Sequence, residues 1–175
     1  MEQRPDEANL RDWGHWELDT VVGKVASKSC LLVLTERSTR HEIVRKLRSK
    51  TQSEVVHALD QLEHIYKDRF PIIFKTITSD NGTEFLNTDC IEQSCIYKSV
   101  ARTHLYYCHP YSAYERGSNE NANKLIRRHI PKGDDISKYT IKQVQHIESW
   151  INNYPRKILG YRTSAEVFAE HLNSI

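Results

Sequence analysis

Between His15 and Leu47 the chain reverses twice with no room for a helix, and this limits the possible folds more than any other feature. In HWELDTVVG (His15–Gly23), Trp16, Leu18, Thr20 and Val22 alternate with Glu17, Asp19 and Val21, the period of two expected of a strand. SCLLVLTER (Ser29–Arg37) is apolar and branched enough for a buried strand, and RHEIVRKL (Arg40–Leu47) reads as a third. Connections this short suit antiparallel neighbours, whereas parallel strands need a long crossover. The first half of the chain therefore reads as an antiparallel meander.

The period then changes. Thr51 followed by Glu54 has the pattern of a capping box, and Val55, Leu59, Leu62 and Tyr66 recur at helical spacing up to about Asp68. Pro71 is read as the break, followed by a strand over Ile72–Asp80 that ends at the Asn81-Gly82 turn. Glu84–Val100 is irregular with a short helix, and HLYYC (His104–Cys108) is a fifth strand. Helices are expected over 112–130, Thr140–Tyr154 and Ser164–Leu172. The expected class is α/β: a mixed five-stranded sheet, three antiparallel strands first, flanked by helices. With 175 residues, one domain over 13–175 behind a polar stub at 1–12 accounts for the whole chain.

Charge has to be read locally, because 25 Lys and Arg against 23 Asp and Glu leave a net charge of only +2. Residues 37–50 hold Arg37, Arg40, Arg45, Lys46, Arg48 and Lys50 against Glu42 alone, and residues 116–132 hold Arg116, Lys124, Arg127, Arg128 and Lys132 against Glu120. Each cluster is a candidate phosphate-backbone footprint or a solvated face. No apolar run approaches the roughly 20 residues of a membrane span, so a soluble, cytoplasmic protein with no membrane partner is expected. Cys30, Cys90, Cys95 and Cys108 show no C-x-x-C pairing and read as free thiols rather than a zinc site. Trp13 and Trp16 read as core rather than as base-stacking groups.

Two acids stand in unusual places. Asp19 lies inside an otherwise apolar strand, where Asp is disfavoured, and Asp80 ends another strand at the lip of a turn. Either alone reads as structural; together, carboxylates at neighbouring strand ends are how a sheet holds a divalent cation. Glu120, in ERGSNENANKLIRRHI (Glu115–Ile130), shares a helical face with Lys124, Arg127 and Arg128, with Ala122, Leu125, Ile126 and His129 opposite. Salt bridging along the helix explains that face as well as phosphate binding does. Phosphoryl transfer suits such a set, because two divalent ions held by carboxylates activate the attacking oxygen and stabilise the leaving one.

The blocks HWELDTVVGK, TITSDNGTEF, YSAYERGSNENANKLIRRHIPKGDDIS and NNYPRKILGYRTSAEVF resemble, in order, the signature blocks of the IS-thirty family of bacterial insertion-sequence transposases, within the DDE transposases and retroviral-type integrases. The resemblance covers residues 13–170. It implies a ribonuclease H-like fold and metal-dependent cleavage of DNA ends followed by strand transfer. It also implies two Mg²⁺ or Mn²⁺ ions with DNA bound, and a homo-oligomer acting on DNA at the bacterial nucleoid. The family acids fall on Asp19, Asp80 and Glu120; Glu84 and Glu115 compete for the third place and fit less well. Arg116, Lys124, Arg127, Arg128 and Lys132 would hold DNA, and Asn81, Asn119 and Asn121 would support the acids or cap the helix. The 39 residues between Asp80 and Glu120 are more than the family usually has, and the extra length is assigned to an outward loop in Glu84–Arg102. The family's N-terminal helix-turn-helix pattern is not found here, so the chain reads as a catalytic fragment. A nuclease that never joins strands and a non-catalytic DNA-binding module are the alternatives.

Overall fold

The computed structural model describes residues 12–108 and 117–175. Strands β1 (His15–Val22), β2 (Cys30–Glu36) and β3 (Glu42–Leu47) form the expected meander. Helix α1 (Gln52–Tyr66) and a one-turn helix α2 (Phe70–Ile73) cross back to β4 (Thr76–Ser79), which pairs parallel with β1. Helix α3 (Thr88–Glu92) leads to β5 (His104–Tyr107), parallel to β4. The sheet order is β3-β2-β1-β4-β5. Helices α4 (Gly117–Ile126), α5 (Ile141–Asn152) and α6 (Ser164–Asn173) complete the described chain.

Each strand divides its side chains between two cores, because alternate residues face opposite ways. Trp16, Leu18, Cys30, Leu32, Leu34, Ile43, Leu47 and Ile77 pack with Val55, Leu59 and Leu62 of α1. Val21, Leu31, Val33 and Val44 pack with Ala122 and Ile126 of α4 and with Val144, Ile147 and Ile151 of α5. β3 is an edge strand, and its open backbone groups are met from α5. Asn152 pairs with the N–H and the carbonyl of Glu42 at 2.8 and 2.7 Å, and Glu148 takes the N–H of Val44 at 2.5 Å. Among the described residues no helix is long and apolar enough to cross a membrane. All four cysteines are free, and Trp16 is fully buried core.

Three readings of the sequence need correction. Ile72–Phe74 is not strand. Pro71 sits in the first turn of α2, where its missing N–H costs nothing; Phe70, Ile73 and Phe74 plug the core, and Trp16 Nε1 donates to the Ile73 carbonyl at 2.6 Å. Thr51 starts α1 but makes no side-chain cap, because Glu54 reaches back to Arg48 instead. The chain between Glu84 and Arg102 loops outward only over its mostly exposed 95–101 stretch, closed by the Gln93–Ala101 bridge, and not as a whole. Arg102 is buried and ties α3 to α1 through the carbonyls of Cys90 and Ile91 and the carboxylates of Asp60 and Glu63. The starts of α5 and α6 are as expected, each with a complete capping box, on Thr140–Gln143 and Thr163–Glu166.

Candidate active site

Glu17 of β1 is paired with Thr78 of β4 in a parallel register. Asp80 follows directly on the end of β4. Residues two apart on a strand share a face, so Asp19 lies on the same side of β1 as Glu17, the side that meets α4. Asp19 is half-buried, and its Oδ2 accepts from Asn123 Nδ2 at 2.8 Å. Asp80 Oδ1 accepts from the Gly82 N–H at 2.9 Å, while Asn81 Nδ2 donates to the Cys108 carbonyl at 3.4 Å and anchors the turn to the end of β5.

Helix α4 is fastened to β1 beside these acids. The N–H of Asn119, in its first turn, donates to Glu17 Oε2 at 3.1 Å. Glu17 is itself buried and lies 3.1 Å from Arg37 Nε. A carboxylate there satisfies an orphan amide and complements the positive end of the helix. One turn on, Asn123 reaches Asp19. Glu120 lies between these two anchors in sequence, roughly 60° around the helix from Asn123, and is exposed. Asn121 is exposed, whereas Asn119 is buried.

The basic residues divide in the same way. Lys124, Arg128 and Lys132 are exposed, with the Arg128 guanidinium 5.7 Å from the centre of the Tyr154 ring. Arg127 turns inward and donates to the Val22 carbonyl at 2.7 Å. It lies past the end of α4, so it does not continue the face of Glu120 and Lys124; Pro131 beyond it disfavours further helix. Arg116 and Glu115 lie outside the described residues. The other cluster is largely committed to the fold: Arg37 to Glu17, Arg45 to Glu148, Arg48 to Glu54, Lys50 to Glu84, and Lys46 to the carbonyls of Ser137 and Tyr139.

Glu17, Asn123, Lys50 and Glu84 belong to this neighbourhood and were not read from the sequence as part of the site. Glu17 could have been found, since it sits two residues before Asp19 on the same strand face. Asn123 follows Asn119 by one helical turn. Glu84, a competitor for the third acid in the sequence, is 2% exposed, and its Oε1 accepts from Thr20 Oγ1 at 2.7 Å.

A second acidic group, Asp60, Glu63 and Cys95, has ligand atoms within 4.8 Å of one another. Arg102 already neutralises it, with Nη1 2.6 Å from Asp60 and 3.0 Å from Glu63. Desolvation and then Glu63 push the Cys95 thiol up to about 11, away from the thiolate that a metal would need.

The sequence profile of the integrase core domain matches residues 10–112. The chain belongs to the integrase core domain family. Asp19 and Asp80 of this integrase core fall inside the matched segment, and Glu120 lies beyond it. The chain is 39% identical to the transposase for insertion sequence element IS4351 of Bacteroides fragilis, over 99% of its own length and 50% of that protein. It is 32% identical to the transposase InsI for insertion sequence element IS30C of Escherichia coli K12, over 91% of its length and 39% of that protein. The chain thus spans half or less of these relatives. The crystal structure of the catalytic core domain of BIV integrase superposes with a TM-score of 0.62 at 19% identity, covering 93% of this chain and 98% of that one. The integrase core therefore has the ribonuclease H-like fold.

Proposed function

We propose that this chain is the catalytic core of a DNA transposase that cleaves the 3′ ends of an insertion sequence and joins them to target DNA. The observation that supports the reading is the tie between α4 and β1. Asp19 lies in β1 and Asp80 just past β4, which pairs parallel with β1, and α4, bearing Glu120, is fastened to β1 through Asn119–Glu17 and Asn123–Asp19. The donor set fits a hard divalent cation, which prefers carboxylate and water oxygens. Asp19, Asp80 and Glu120 would hold Mg²⁺ or Mn²⁺, as two ions when DNA is present. Bound there, the ions would activate the attacking oxygen and stabilise the leaving one.

The chain's own groups prepare that site. The Asn123 amide and the Gly82 N–H orient Asp19 and Asp80, while Glu17 sets the height of α4 and with it Glu120. Lys124, Arg128 and Lys132 offer cations to the DNA backbone, positioning phosphates rather than reading bases. In the first reaction water displaces one end of a phosphodiester and frees a 3′-hydroxyl. In the second that hydroxyl attacks a target phosphodiester and displaces another 3′-hydroxyl. Recognition of particular ends is assigned to sequence outside this chain, and the working form to a homo-oligomer on DNA.

A pre-cleaved end oligonucleotide mixed with target DNA should give joined products in Mg²⁺ or Mn²⁺. The Asp80→Asn variant should lose this activity by about 10³-fold or more, the size of several kcal/mol of lost transition-state stabilisation, while still binding DNA. Hydrolysis without joining would leave a nuclease; undiminished joining by the variant would remove Asp80 from the chemistry.

A further inference from the structure

Gly82 follows the second acid, and its backbone does not need a glycine: φ is −60° and ψ 141°, open to any residue. Space is what excludes a side chain. A Cβ on Gly82 would lie 2.8 Å from Glu84 Oε2 and 2.9 Å from Asp80 Oδ1. Two carboxylate oxygens therefore flank one small residue. The Glu84 carboxylate is buried from solvent. Its Oε1 receives the Thr20 hydroxyl and lies 3.1 Å from Lys50 Nζ. Its Oε2, on the side of Asp80, accepts no hydrogen bond from any described residue. A strut for the fold would need only the Oε1 contacts, and burying an acceptor with no donor is costly. A negative oxygen kept beside another acid makes physical sense where a cation comes to both.

We propose that Glu84 is a fourth acid of the site, a positioning residue that raises the affinity of the Asp80 end of the sheet for a divalent cation, with Lys50 as the counter-charge that limits this effect. The inference rests on the reading of Asp80 as a metal ligand. Glu84 acts through space and through the Asp80–Gly82 turn. Lys50 reaches it from the β3–α1 connection, with its side chain 45% exposed, so its ammonium can be removed without opening the core.

Mn²⁺ binding to the whole chain without DNA, followed by electron paramagnetic resonance and by thermal shift, tests this directly. Glu84→Gln should weaken binding by about 10-fold, the usual scale for a residue behind a metal ligand. Lys50→Met should strengthen it several-fold, because the uncompensated carboxylate then faces the ion. Opposite signs are what a packing role cannot produce. If both variants weaken binding, or both bind Mn²⁺ as the parent does while Asp80→Asn abolishes it, Glu84 is a strut and the proposal falls. If Asp80→Asn leaves binding unchanged, the underlying reading of the site fails instead. Should Glu84→Gln not fold, Lys50→Met decides alone, and parental affinity there overturns the proposal.

Discussion

Asp60 and Glu63 lie close together, while Asp19 sits in β1 and Asp80 just past β4, its parallel neighbour; only the second pair is read as a cation site. Around Arg102, the Asp60 and Glu63 carboxylates are neutralised from within by a guanidinium that is 0% exposed. Asp19, within β1, and Asp80, just past β4, have an asparagine amide and a backbone N–H among their donors. Crowded carboxylates alone therefore do not mark a metal site. The charge of the Arg102 cluster is already cancelled by a buried guanidinium, and that cluster closes a fold.

The sharpest way to break this contrast is Arg102→Met. It leaves Glu63 buried beside Asp60 with no counter-charge, and removing one partner of a buried pair costs about 3–5 kcal/mol. Urea unfolding should show that loss. A loss below about 1 kcal/mol would mean that Arg102 is not what holds the cluster closed.

A third kind of acid sharpens the comparison at intermediate size. Glu42 is held without its charge. Burial pushes its pKa up to about 8, against the opposing hydrogen bond from Thr35 Oγ1 at 2.6 Å and Arg156 at 3.8 Å. A folded pKa above the unfolded one means that the native state binds more protons between about 4.5 and 8. Stability from this group is complete below that window and declines as pH rises through it, by at most ~1.4 kcal/mol per pH unit. Neighbouring His41 works in the opposite sense. Burial lowers its pKa to about 4, so its contribution is present above about 6.5 and is lost as pH falls towards 4. Comparing parent with Glu42→Gln isolates the acid: the two should match near pH 5, and the variant should gain relative stability up to pH 9. A constant difference across that range would show that Glu42 keeps its charge.

The smallest effect belongs to Glu54, whose partner Arg48 is 86% exposed. Glu54→Gln should change unfolding free energy by no more than about 1 kcal/mol, and less in high salt, as water screens such pairs. A larger change would put this acid with Glu63 rather than on the surface.

Much of this was legible in the residue pattern. The meander, the fifth strand and the starts of α5 and α6 all follow from local signals, since periodicity and capping act over one or two turns. So did the placing of Asp19 in a strand and of Asp80 at a strand end. Less visible was which charges were already committed. Residues 37–50 look like a phosphate footprint until Arg37, Arg45, Lys46, Arg48 and Lys50 each find a partner, some from helices a hundred residues away. Arg127, read as a DNA contact, also donates to the Val22 carbonyl at the end of β1. Ile72–Phe74 has the composition of a strand, and becomes a helical plug because the core needs Phe70, Ile73 and Phe74 together.

The order of elements, the two-faced strands and the acidic candidates were written in the chain alone, because alternation and turn chemistry depend on near neighbours. Which segments bring acids near one another, and which basic groups already have partners within the fold, was decided only in three dimensions. Pairing of charges depends on distance through space, and residues such as Glu84 and Lys50, or Glu17 and Asn119, come within about 3 Å only after the sheet has brought their segments together.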